Sequence, residues 1–236
     1  MDVQTLELQN GTAVREPTTA YQADRAAALA GVPQSTVHYW ARTNVLVPSV
    51  SAEKVKLWSF ADLMGLRTIA WLRRRKTSAA GYDIPHATMP KVRRALRALE
   101  QLDLSLWTTD AGSTVLVDPN GEIVIRHQSG LVRPAGHDGE LQTVAPDFLD
   151  LMAPFTVDER AGPDLRRPRP RLRIVPGKLA GAPHIERTRL ETQAVHALAR
   201  RGLEPAKIAR LYPFTDVDAI QEAIDLENQL QQRFAA

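Results

Sequence analysis

Polar side chains that can hydrogen-bond to nucleic-acid bases follow a short turn near the N-terminal end of the chain. An Ala-rich helical segment, Ala23 to Ala30, ends at a Gly31-Val32 break, and a second short helix is predicted to start at Pro33. Two helices joined by a tight turn that contains glycine form a helix-turn-helix, whose second helix can enter the DNA major groove. The side chains predicted to read DNA from that second helix are Gln34, Ser35, Thr36, His38, Tyr39 and Arg42.

Each of these side-chain types has a defined hydrogen-bonding chemistry. Glutamine pairs with adenine edges, arginine with guanine, and hydroxyl groups with bases or phosphates. Tyr39 and Trp40 are adjacent and must point to different sides, so one is expected in the core and the other near the sugar-phosphate backbone. Lys54 and Lys56, on a predicted wing, are expected to contact phosphate. Since the second helix carries few basic residues, one copy is expected to bind DNA weakly, and dimerisation is expected to be needed.

The predicted wing lies just after the second helix. Leu46-Val47-Pro48 and Val55-Lys56-Leu57-Trp58 alternate like the strands of a short hairpin. Four blocks at matching spacing, ALAGV (28–32), TVHYW (36–40), VLVPS (45–49) and LWSFADL (57–63), resemble the N-terminal domain of MerR-type regulators. The resemblance implies a winged helix-turn-helix that binds operator DNA. The alternative is that the winged helix serves as a protein-interaction module.

Length and composition restrict the class of protein. A chain of 236 residues is long enough for one large or two ordinary domains, and its apolar and charged fractions are those of a soluble globular protein. It has no cysteine, no apolar run of membrane-spanning length and no secretory signal. A cytoplasmic protein without disulfides or membrane partner is therefore predicted.

The net charge of +3 is too small to argue for nucleic-acid binding, but the charges are segmented. The segment from Arg67 to Arg97 contains nine basic residues and one acidic residue, Asp83. Three of them, Arg93, Arg94 and Arg97 on a predicted helix from Pro90 to Leu102, form either an ordinary solvated face or a phosphate-binding face beside the second helix. The predicted C-terminal helix is acidic instead.

The predicted fold class is α+β and mainly α. A MerR-like winged-helix domain (1–104) precedes a small β subdomain (105–159), in which Val115–Val117 and Ile123–Ile125 flank an Asn-Gly turn typical of hairpins. Further strands are predicted near 131–132 and 140–144, followed by an apolar patch at 148–155. An exposed Arg/Pro-rich linker (160–173) then leads to a small helical, helix-turn-helix-like domain (174–236).

The C-terminal segment carries a second resemblance. GAPHIERTRL (181–190), GLEP (202–205) and LYP (211–213) resemble a small helical domain of unknown function that is found in antitoxins, often beside genes for PIN-domain ribonucleases. Together the two resemblances imply a VapB-type antitoxin of a type II toxin–antitoxin system. Its implied partners are a PIN-domain ribonuclease toxin and operator DNA, in a homodimer or a higher toxin–antitoxin assembly.

Two surfaces could contact such a toxin. Arginine forks suit the acidic metal site of a PIN nuclease. The arginines assigned to toxin binding are Arg166, Arg167, Arg169, Arg171 and Arg173. A solvated linker or a DNA-binding segment explains these arginines equally well. The other candidate is the apolar stripe of the last helix (Ile220, Ile224, Leu226 and Leu230), which could equally be intrachain core.

No constellation of catalytic residues is visible. None of the six histidines has zinc-ligand spacing with another ligand, and no nucleophile motif surrounds a serine. We therefore predict no enzymatic activity, no metal and no cofactor. Besides the antitoxin, the sequence allows a stand-alone DNA-binding transcriptional regulator whose C-terminal half senses a ligand or dimerises, and an adaptor without DNA activity.

Overall fold

Helices carry most of the regular structure in the computed structural model, which describes residues 20–77, 81, 83–104, 107–108, 112–118, 120–127, 130–132, 155–157 and 160–232. Within these ranges there are seven α-helices. They are α1 (Ala23–Ala30), α2 (Gln34–Arg42), α3 (Phe60–Leu72), α4 (Met89–Gln101), α5 (Thr192–Arg200), α6 (Pro205–Leu211) and α7 (Val217–Gln232).

Short antiparallel strands join these helices. They are β1 (Tyr21–Gln22), β2 (Leu57–Trp58), β3 (Lys76–Thr77), β4 (Asp83–Ile84), β5 (Trp107–Thr108), β6 (Gly112–Ser113), β7 (Val115–Val117), β8 (Ile123–His127), β9 (Gly130–Val132), β10 (Phe155–Val157), β11 (Arg160–Gly162), β12 (Leu172–Arg173) and β13 (His184–Ile185). Strands β7, β8 and β9 form a three-stranded sheet, and the others pair as β1-β2, β3-β4, β5-β6, β10-β11 and β12-β13. The predicted α+β, mainly α fold class is confirmed.

The helix-turn-helix forms around a glycine in the left-handed region. Gly31 has φ 69° and ends α1, with its backbone N–H donating to the carbonyls of the last turn. Pro33 is the N-cap of α2 and Gln34 its first residue, so Ser35 lies inside the first turn of the helix. Helix α3 packs against α1 and supplies most of the shared core. Its fully buried apolar side chains are Leu63, Met64, Leu66 and Ile69.

The predicted hairpin between Leu46-Val47-Pro48 and Val55–Trp58 is wrong. Strand β2 pairs instead with β1, in the register Tyr21↔Trp58. The wing is a tighter loop closed by two hydrogen bonds between Ser51 and Leu57. Residues 46–48 do not take part in this pairing, because the next residue, Ser49, is hydrogen-bonded to the Asp62 carboxylate at the start of α3.

The predicted hairpin in the middle of the chain is confirmed, since Val115 pairs with Ile125 and Val117 with Ile123. Strand β9 confirms the strand predicted at 131–132, whereas the strand at 140–144 and the apolar patch at 148–154 lie outside the described residues. Helix α4 packs on β8. Gly121 has φ 75°, and a Cβ there would lie 2.9 Å from the carbonyl oxygen of Pro85, so this turn requires glycine.

The described part of the Arg/Pro-rich segment differs from the expected exposed linker. Leu165 and Leu172 are fully buried, and Pro163 and Pro168 are buried with them. The apolar residues that alternate with the arginines anchor the segment by packing into the core. We call this packed segment, residues 160–173, the strap. The domain boundaries themselves stay predictions.

The C-terminal unit consists of α5, α6 and α7, with α7 packed across the other two and against β12 and β13. Ile220, Leu226 and Leu230 are buried, so these residues of the apolar stripe form intrachain core and offer no groove-binding face. Helix α7 also contacts α1, which places the C-terminal unit directly on the winged helix. None of the helices in the described ranges is long and apolar enough to cross a membrane.

Candidate nucleic-acid interface

Helix α2 presents one continuous polar face to solvent. At about 100° per residue, Gln34, His38, Arg42, Ser35 and Tyr39 follow one another around a single arc of the helix. All five are exposed, and Thr36 at the edge of the arc is half-buried.

The opposite face of α2 carries Val37, Trp40 and Ala41, which are buried. Trp40 therefore takes the core position and Tyr39, 48% exposed, the outer one, as adjacency required. The guanidinium of Arg42 lies over the Tyr39 ring, 5.9 Å from its centroid, which groups the cation and the aromatic ring at the C-terminal end of the face.

The wing and α2 border one open groove. Its lining includes Gln34 and His38 from α2 and Lys54 and Lys56 from the wing. The structure thus brings together four of the eight residues predicted to bind DNA. Lys54 is exposed, whereas the Lys56 ammonium donates to the carbonyl oxygens of Ala52 and Glu53 at 3.0 and 3.3 Å, so it also stabilises the wing turn.

A buried carboxylate fixes the base of the wing relative to α3. Asp62 Oδ2 accepts from the backbone N–H of Ser59 at 2.8 Å while Ser59 Oγ accepts from the Asp62 N–H, which is a capping box. The same carboxylate oxygen accepts from the N–H and the hydroxyl of Ser49, each at 2.8 Å. The chain leaving α2 and the start of α3 are therefore held by one side chain.

The basic residues between 67 and 97 have mixed roles. Arg67 is 1% exposed and donates to the carbonyl oxygens of Leu29 and Pro163, so it is part of the core. Arg93 donates to the carbonyl oxygen of Thr43 at 3.2 Å, which steadies the C-terminal end of α2. Arg94 and Arg97 are exposed on α4 and remain able to reach phosphate.

A buried ion pair joins the winged helix to the C-terminal unit. Arg25 of α1 and Glu227 of α7 form two parallel hydrogen bonds of 2.7 and 2.8 Å, with side chains 12% and 2% exposed. The Thr192 hydroxyl, at the start of α5, donates to the same carboxylate. This contact was not predicted, because no sequence pattern pairs two residues 202 positions apart.

Tyr21 makes a second junction between the same two parts. Its hydroxyl donates to the carbonyl oxygen of Gly181 at 2.8 Å, and its side chain is buried. Burial raises the pKa of the Tyr21 phenol well above its usual range, so it stays a hydrogen-bond donor at physiological pH. Gln22 and Asp24, which are sequence neighbours of Tyr21 and Arg25, also line the groove between α2 and the wing.

The five arginines assigned to toxin binding are in different environments. Arg171 pairs with Asp218 and Glu222 of α7 at 2.8 Å and with Asp216 at 3.4 Å, and the hydrogen bond to Glu222 is the main reason that its pKa is raised. Arg173 pairs with Glu186. Arg169 donates to Gln229, while Arg166 and Arg167 are exposed. Arg169, Arg171 and Arg173 thus hold the strap on other parts of the protein, while Arg167 donates to the carbonyl oxygen of Pro170 within the strap.

Two family models match the chain at its ends. The model described as MerR HTH family regulatory protein matches residues 21–81, and the model described as protein of unknown function (DUF433) matches residues 173–225. No curated protein and no solved structure matches the chain. The protein therefore combines a MerR-type helix-turn-helix domain at its N-terminal end with a DUF433 domain at its C-terminal end.

Proposed function

We propose that this protein binds operator DNA through α2 and the wing, represses its own operon, and neutralises a PIN-domain ribonuclease as the antitoxin of a type II pair. The main support is the exposed polar face of α2, which borders one groove with the wing lysines. Arg42 and Gln34 read bases, and Lys54 and Lys56 position the helix through phosphate contacts.

The antitoxin part rests on the DUF433 match and on the resemblance to antitoxins whose genes lie beside PIN-domain nucleases. Arg166 and Arg167 are the two arginines of the assigned set whose exposure suits an acidic nuclease site. Arg169, Arg171 and Arg173 would have to exchange intrachain partners before they could bind a toxin.

DNA binding is tested with the purified protein and DNA from its own promoter region. Arg42→Ala removes a base contact and is expected to weaken specific binding by roughly 10- to 100-fold. Gln221→Ala, an exposed α7 residue, is the matched control and should bind like the wild type. A wild-type protein that binds promoter and random DNA equally at physiological salt would refute the DNA-reading proposal.

Neutralisation is tested by co-expressing the protein with the PIN-domain nuclease encoded by a neighbouring gene. Arg166→Glu with Arg167→Glu is expected to release the nuclease and restore growth inhibition, while Arg42→Ala should leave neutralisation intact. Failure of the wild-type protein to silence the nuclease, or the absence of such a gene, contradicts the antitoxin assignment.

A stand-alone regulator is the second candidate. The direct contact between α7 and α1 favours it, because an event at the C-terminal unit could reach the DNA-binding helices through Arg25 and Glu227. It predicts promoter binding without any nuclease partner. The gene neighbourhood and the co-expression result separate the two candidates.

A further inference from the structure

Three apolar side chains project from the corner between α6 and α7. Phe214 is 90% exposed, Leu211 57% and Val217 44%, and Phe214 is the most exposed large apolar side chain in the described part of the protein. A single exposed leucine is ordinary, but a cluster of apolar side chains that includes a largely exposed aromatic ring indicates a contact surface.

The corner is held in a defined conformation. The carbonyl oxygen of Tyr212 accepts from the backbone N–H of Thr215 at 2.9 Å and from its hydroxyl at 2.8 Å, which closes a turn with Pro213 in its second position. Asp216 then caps α7 by accepting from the Ala219 N–H. Phe214 thus needs little ordering before it makes a contact, which lowers the entropic cost of association.

Opposite charges border this apolar corner. Lys207 and Arg210 are exposed on α6, at the i, i+3 spacing that places them on one helix face, and Leu211 continues that face. On the other side, Asp216 and Asp218 keep side-chain exposures of 63% and 72% although Arg171 contacts both. We name the set Lys207, Arg210, Leu211, Phe214, Val217 and Asp218 the Phe214 corner.

We propose that the Phe214 corner is the contact between two copies of this chain. A two-fold interface brings the same patch of both copies together and therefore has to be self-complementary. A two-fold axis beside Phe214 stacks the apolar side chains on each other and places the cationic edge of one copy against the anionic edge of the other. A uniformly acidic or basic partner would meet a like charge on one of the two edges.

The size of the corner sets the strength of the contact. A buried phenylalanine removes on the order of 150–250 Å² from water. A patch built around one such residue from each copy lies at the low end of specific interfaces. The dimer is therefore concentration-dependent and becomes stable when both copies bind adjacent half-sites on DNA, where the second contact is intramolecular.

Sedimentation of the full-length protein over about 1–200 μM, a range that brackets the micromolar affinities of small interfaces, tests this contact. The wild type should shift from monomer to dimer, and Phe214→Asp should weaken dimerisation by at least roughly 10-fold. Val55→Asp replaces another exposed apolar side chain (59%), on the wing, and should dimerise like the wild type. Circular dichroism checks that all three proteins are folded.

A charge exchange tests the proposed orientation. Lys207→Glu with Arg210→Glu makes both edges acidic, and Asp218→Lys replaces one acid of the anionic edge by a cation, so each variant alone should dimerise less than the wild type. Mixing the two variants restores both edge contacts and should recover dimerisation. A wild-type protein that stays monomeric, a Phe214→Asp dimer as strong as the wild type, or a mixture that recovers nothing would overturn the proposal.

Discussion

The two ends of this protein contain similar local geometry with different surface chemistry. In each, a short helix ends at a glycine with positive φ, Gly31 at 69° and Gly202 at 87°, before the next helix begins. At the N-terminal end the following helix, α2, shows hydrogen-bonding and cationic groups to solvent. At the C-terminal end the following helix, α6, exposes two cations but leads directly into the exposed Phe214 and into acids that pair with Arg171 of the strap.

This difference shows that a helix-turn-helix backbone does not make a DNA reader. DNA is a polyanion, so a helix that enters its groove needs side chains that tolerate or neutralise phosphate. Asp216 and Asp218 come shortly after α6, and their carboxylates would repel DNA. We therefore expect the N-terminal unit to bind nucleic acid and the C-terminal unit to make protein contacts, including those within the chain.

The largest expected effect tests whether the two units unfold together or independently. Glu227→Gln leaves Arg25 buried without its counter-charge and should lower the free energy of unfolding by about 3–5 kcal/mol. Because the pair joins α1 to α7, a single unfolding transition of both units is expected to move in urea titrations. Two transitions, of which only one moves, would mean that the units fold independently.

Replacing the two glycines compares the turns directly. Gly202→Ala forces an L-residue into the left-handed region and should cost about 1–2 kcal/mol of stability, since nothing lies within 4 Å of the new Cβ. Gly31 is buried, so Gly31→Ala should cost more and should also weaken DNA binding. Gly202→Asn is the control, because asparagine tolerates this conformation and should recover part of the loss.

The smallest expected effect is a pH dependence confined to the C-terminal unit. His184 is 1% exposed, and burial lowers its pKa below the usual 6.5. Below about pH 6.5 the unfolded chain binds a proton at His184 more readily than the folded protein does. The contribution of His184 to the free energy of unfolding is therefore constant above about pH 6.5, and stability falls as the pH drops below it. His184→Gln should flatten this slope in urea midpoints measured between about pH 5 and pH 8. An unchanged slope would assign the pH dependence to other groups.

Local features were predictable because they depend on neighbours in sequence. The Gly31 turn, the split between Tyr39 and Trp40, and the hairpin around Gly121 follow from backbone preference and periodicity. The Asp216 cap likewise follows from one side chain and the next turn of helix. The roles assigned to the DNA-binding residues stay predictions, although α2 and the wing do place them on one surface.

Long-range contacts could not be predicted from the sequence, and the reason is physical. Arg67, Arg25 and Arg171 are indistinguishable from solvated arginines until their partners, which lie 38 to 202 positions away, are known. The wing pairing was wrong because Tyr21 reaches β2 from outside the segment that was read as a hairpin. In each case the decisive contact depends on tertiary packing and leaves no periodic signal.

The buried position of Arg67 has a consequence for how the protein is made. One of its two carbonyl acceptors belongs to Leu29 and the other to Pro163, almost one hundred residues downstream. While the ribosome is still adding the intervening chain, the winged helix holds a buried charge whose second acceptor has not emerged. The N-terminal core can therefore close tightly only after the strap has been synthesised, and the helix-turn-helix becomes fully rigid late in synthesis.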